Sequence, residues 1–181
     1  MISRAALVLL WAAASGAGAA EGISIEATRR GSAVEIHAFA LVDASYGTVW
    51  STLTDYNRLT EFIPGMKSSR ILEHRGDTMV VEQEGEARFL FFWFPIKVTV
   101  VTTARPPLAV DVRLLKGNLR RLDGGYRLQQ VAPGRIALSW IGLIEPEALP
   151  PLLGMLVMRA TIKDQFTGMV REIERREAQP R

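Results

Sequence analysis

A chain of 181 residues, 48% of them hydrophobic, is long enough for one domain with its own core and short for two. Its formal charge of +3 arises from interspersed acids and bases, without the one-sided basic face that nucleic-acid binding needs. The chain has no cysteine, which excludes disulfide frameworks, thiolate metal sites and cysteine nucleophiles.

Residues 1–4 carry one positive charge, Arg4. Residues 5–14 form an apolar run too short to span a bilayer, and residues 15–20 are small. This order predicts a secretory leader over residues 1–20, cleaved after Ala19 or Ala20, and a mature domain over residues 21–181. An uncleaved membrane anchor is the alternative. No cysteine follows the run, so no lipid attachment site is expected. Export without disulfides fits a periplasm, where the core alone must hold the fold.

Residues 23–28 and 33–42 alternate apolar and polar around Gly31, which predicts a β-hairpin. Val49, Trp50 and Leu53 share one helical face in residues 44–54, with Asp43 or Ser45 as the cap. A second short helix over residues 55–62 stops before Pro64-Gly65. The period then changes to two. Strands are predicted over residues 66–74, 78–91, 96–103, 108–115, 119–131 and 135–144, broken at Gly76, Pro106-Pro107, Gly117-Asn118 and Pro133-Gly134. Such short gaps imply an antiparallel meander. Pro151 opens a helix over residues 152–176, with Leu152, Met155, Leu156, Ile162, Phe166, Met169, Val170 and Ile173 on one stripe. A curved sheet wrapped around that helix buries the stripe and can leave a cavity between them.

The segment Val49-Trp50-Ser51-Thr52-Leu53-Thr54-Asp55-Tyr56, continuing to Phe62-Ile63-Pro64-Gly65-Met66, resembles the polyketide cyclase/dehydrase and lipid-transport superfamily, also called START-like. Further matches are Val81-Glu82-Gln83-Glu84-Gly85, Leu115-Lys116-Gly117-Asn118-Leu119 and Gly125-Tyr126-Arg127-Leu128. The resemblance extends to coenzyme Q-binding START domains and covers the mature chain. It implies an α+β helix-grip fold, a curved antiparallel sheet around a long C-terminal helix, with a hydrophobic tunnel between them. It does not imply one activity, because such folds host carriers, receptors and cyclases.

In residues 78–91 the charged set Glu82, Glu84, Glu86 and Arg88 must face water. Val81, Gln83, Gly85, Ala87 and Phe89 then face inward. Gln83 is a candidate for a ligand's polar head, or caps a backbone group or buried water. Gly85 and Ala87 leave space beside it. The run from Phe89 to Phe94 reads as a cavity mouth touching ligand or membrane, or as core. On the long helix Arg159 falls within the apolar stripe, where it pairs with an anionic ligand group or with an internal acid, or else reaches solvent. The candidate cavity residues are thus Val81, Gln83, Gly85, Phe89, Met155, Arg159, Ile162, Phe166 and Met169.

His37 and His74 are the only histidines and lie far apart in sequence, so no metal site is expected. No nucleophile elbow, P-loop or dinucleotide fingerprint is present. Asp55 reads as a structural cap or turn residue. The expectation is a monomeric binding module without cofactor. It would hold a lipid, quinone or similar apolar molecule, with transient membrane contact and no nucleic-acid partner. A cyclase-like or hydrolase-like enzyme in the same cavity is the rival, and an interaction protein with a collapsed cavity a third reading. Sequencing the mature N-terminus from a cell fraction should give Ala20 or Glu21. A retained Met1 on cytoplasmic material would contradict the leader.

Overall fold

The structure is a computed structural model that describes residues 22–179 except Leu90 and Ala148; the side chains of Phe89, Phe92 and Pro151 also lie outside the description. The predicted leader lies outside the described residues. Strands β1 (Ser24–Arg30) and β2 (Ala33–Asp43) form the first hairpin. Helix α1 (Tyr46–Leu53), a 3₁₀ turn (Tyr56–Arg58) and the single-turn α2 (Leu59–Phe62) follow. Then come β3 (Met66–Arg75), β4 (Thr78–Phe89), β5 (Phe92–Arg105), β6 (Ala109–Gly117), β7 (Leu119–Ala132) and β8 (Arg135–Pro146). Helix α3 (Pro151–Glu177) closes the order. Among the two candidate caps for α1, Ser45 takes the role, its Oγ accepting from the Thr48 amide at 3.3 Å.

The eight strands make one antiparallel sheet, ordered β1-β2-β8-β7-β6-β5-β4-β3 and left open between β1 and β3. With the helix across its concave face, this is the helix-grip architecture expected from the sequence. Alternation sets which side chains face in. On β2, Ile36, Ala38, Ala40 and Val42 are buried, and they pair across to Gly142, Trp140, Leu138 and Ile136 of β8. The small alanines let α3 lie close to β2.

Strand β5 starts at Phe92 rather than at Ile96. The aromatic run 89–94 therefore bends through a hairpin turn. Phe91 and Trp93 consequently stand in solvent, 84% and 65% exposed. The buried stripe of α3 also differs in its first turns. Leu152 and Leu156 are exposed, while Val157 and Met158 are buried in their place. From Phe166 onward, Met169, Val170 and Ile173 are buried as the 3.6-residue period predicts.

The C-terminal half of α3 is tied to the α1–α2 segment. A Cβ at Gly168 would lie 2.5 Å from the Phe62 carbonyl oxygen and 2.6 Å from Pro64 Cδ, so only glycine permits this approach. Arg176 donates to Asp55 at 2.9 Å and to Glu172 at 2.7 Å, and its guanidinium stands 5.2 Å from the Phe62 ring centre. Arg175 binds Glu172 with both arms, at 2.7 and 2.8 Å. Hydrogen bonds and charge from Arg175, then Arg176, outweigh burial and hold the nearly buried Glu172 carboxyl at about 2. A depressed carboxyl contributes its full stability above the unfolded value near 4.5 and loses it as pH falls towards 2. Glu172→Gln should therefore cost about 1.5–3 kcal/mol at neutral pH. It should also remove that part of the stability loss between pH 5 and pH 2, roughly the interval between the two carboxyl values. Urea unfolding across this pH range checks both.

Candidate functional site

Helix α3 approaches β1, β2 and β4 and stands over the middle of the curved sheet. Between them lies a cavity of about 190 Å³. Its sheet wall is built by alternate residues of β5 (Ile96, Val98, Val100, Thr102), with Val112 of β6 and Tyr126 of β7. Leu53, Tyr56, Leu59 and Ile63 of the short helical segment close one side, and Met158, Thr161, Ile162, Gln165, Phe166 and Met169 of α3 form the roof.

Five sequence candidates line the cavity: Gln83, Gly85, Ile162, Phe166 and Met169. Val81 faces the same way, paired with Val100, but is sealed within the core and outside the lining. Met155 is half-buried and also outside it. Phe89 has its side chain outside the described residues. Arg159 is displaced from the expected position. It is exposed and directed to the β1 edge, where its guanidinium reaches the Ile25 carbonyl at 3.5 Å. The reason is the turn of the helix just noted, which puts Met158 rather than Arg159 inward. Gln83 donates to Ser69 at 3.5 Å, a long and weak bond that leaves its amide available to the cavity.

Gly85 plays a different role from the one its small volume suggests. A Cβ there would fall 2.6 Å from the Gly65 carbonyl oxygen, so its missing side chain lets the β3 entry press against β4. Sequence reading missed Tyr56, Thr102, Tyr126 and Trp140, although the alternation along β5, β7 and β8 carried the signal for the last three. Burial pushes the Tyr126 phenol well above its ordinary range, with Tyr56 nearby adding to it. The Tyr56 phenol is likewise raised by burial, against a hydrogen bond with Thr102. Both remain neutral donors. Glu84 and Glu86 border the cavity, with their carboxylates paired to Lys97 and to Lys67 and Arg88.

β4, β6 and β8 end, and α3 begins, at the same end of the sheet. Phe91, Trp93 and the exposed Leu152 and Leu156 belong to this end, as do Arg88, Lys116, Arg120 and Arg121.

The family model for polyketide cyclase/dehydrase and lipid transport matches residues 42–172, from the end of β2 into the last turns of α3. The chain belongs to this family. No curated protein matches it by sequence. Solved structures with the same fold include the Zhui aromatase/cyclase from Streptomyces sp. R1128, at TM-score 0.68 and 14% identity, over 80% of this chain and 93% of that one. A STAR-related lipid transfer protein fragment from Xanthomonas axonopodis superposes at TM-score 0.67 and 16% identity, over 87% and 96%. The lipid transfer and protein localization domain of human StarD13 gives 0.64 and 13%, over 88% and 90%. Family membership and the mainly apolar cavity together make this a hydrophobic ligand-binding domain.

Because Gly85 is needed by the backbone, the cavity is better filled from the helix. Ile162→Trp should cost about 1–3 kcal/mol in stability through overpacking. It should reduce uptake of an environment-sensitive apolar dye at least tenfold, by losing most of the apolar area the dye buries. Dye titration and thermal melting of the same folded variant check this.

Proposed function

We propose that the protein is an exported carrier that takes a lipid, quinone or similar apolar molecule into this cavity and releases it chemically unchanged. The observation that carries the reading is the mainly apolar space between α3 and β5–β8. Desolvation supplies the affinity, each buried CH₂ contributing roughly 0.8 kcal/mol. The leader-like residues 1–20 support export, and residues 21–181 would then be the working domain.

The same reading assigns the mouth to membranes. Phe91 and Trp93 are exposed at the β4–β5 hairpin, at the end of the sheet where α3 begins with the exposed Leu152 and Leu156 and which also carries Arg88, Lys116, Arg120 and Arg121. Aromatic and aliphatic tips suit the bilayer interface, and lysine and arginine suit anionic headgroups. Contact there would be transient and would put the cavity opening at the source of its cargo.

Incubating candidate lipids and quinones with the mature protein, and measuring affinity and product together, separates carrier from enzyme. The carrier binds and returns the ligand unaltered. Turnover that persists through stringent purification and is abolished by one cavity substitution, with affinity nearly intact, would establish the enzyme instead. In flotation with anionic vesicles, replacing both Phe91 and Trp93 by serine should abolish most vesicle binding while leaving dye uptake in solution unchanged.

A further inference from the structure

Apart from Glu84 and Glu86, the polar side chains that line the cavity are uncharged. Tyr56, Thr102, Tyr126, Gln83, Thr161 and Gln165 offer hydroxyls and amides, all uncharged. Among the described lining residues there is no lysine, arginine or histidine. The two acids at the border already have cations on the outer surface, Lys97 for Glu84, and Lys67 and Arg88 for Glu86. Arg159, which the sequence suggested as an anion partner, points to the β1 edge.

One group is incomplete. The Thr161 hydroxyl oxygen is buried without a hydrogen-bond partner, on the roof between Met158 and Gln165. A buried hydroxyl without a partner is destabilising, and a ligand oxygen brought beside it removes that cost. At the end of the cavity away from the Phe91 tip, the Tyr56 and Tyr126 phenols stand with Thr102 and form a second group of neutral hydrogen-bonding hydroxyls.

Building on the carrier reading, we propose that the cavity selects an uncharged amphiphile bearing a hydroxyl or carbonyl oxygen, with Thr161 as a ligand-contacting residue, and rejects the carboxylate of the same chain length. A carboxylate entering here would leave water without meeting a cation, which is strongly unfavourable. A neutral oxygen would exchange water for hydroxyl donors at small net cost. The selection is thus one of charge, imposed by a described lining that offers neutral donors and carboxylates but no cation, rather than by a single recognition residue.

The test compares 1-decanol with decanoate at pH 8 on the mature protein by calorimetry, beside a neutral environment-sensitive dye. The alcohol should bind at least tenfold more tightly than the acid. Thr161→Val should weaken the alcohol about twofold to tenfold, the range for one neutral hydrogen bond. It should leave the unliganded protein as stable or more stable, since the orphaned hydroxyl is gone. Thr161→Ser should restore affinity. A purely structural threonine would show the opposite pattern, a lower melting temperature and unchanged affinity. Equal binding of acid and alcohol, or failure of both while the dye still enters, would overturn charge selection and leave the carrier reading standing. Exclusion of the dye as well would overturn the carrier reading itself.

Discussion

Helix α3 is held at a fixed height above the sheet, and the rest of the site depends on this. Its C-terminal half is pressed onto Phe62 and Pro64 through Gly168 and tied by Arg176 to Asp55 and Glu172. Along its length it lies against β2, where Ala38 and Ala40 bring it close, and against β4 on the other side. The strands between, β5 to β8, curve away beneath it. A rigid rod across a curved surface touches at the flanks and leaves a gap in the middle, and the cavity is that gap.

The ion cluster matters beyond its own energy. Surface pairs contribute little, but Glu172 is nearly buried and held ionised by two arginines, so losing one member leaves charge without compensation. Asp55 lies at the end of α1, and Tyr56, the next residue, lines the cavity. The clamp on the helix and the wall of the site are therefore adjacent in the chain. A change that loosens Arg176 from Asp55 also frees the residue beside a buried phenol.

Most of the architecture was legible because each element obeys one period. The strands alternate, their turns are marked by glycine and proline, and Ser45 caps α1 as its type suggests. Legibility failed where the pattern gave no direction. In the first turns of α3, Leu152, Leu153, Met155, Leu156, Val157 and Met158 are apolar on all sides, so the true buried face had to be set by contacts with β2 and β4. That ambiguity placed Arg159 inside. Phe89 to Phe94 failed similarly, since six apolar residues in a row do not reveal a turn. Gly85 was legible as small, yet its reason is the Gly65 carbonyl across the β3–β4 pair, a long-range contact no local pattern encodes. Five of the nine site candidates reached the lining because strand alternation and the later turns of α3 were read correctly. The tyrosines were not legible from one strand's alternation, because the wall is shared among β5 to β8 and the short helical segment that carries Tyr56.

In the carrier reading, the space between α3 and β5–β8 holds an intact apolar molecule. Native mass spectrometry of protein purified from its own host, followed by extraction and identification of what it carries, tests this most directly. One bound molecule per chain is expected, apolar and uncharged, with the same structure after release as in the membrane it came from. A bare protein mass from the host, joined to exclusion of every neutral apolar compound offered in solution, would contradict it.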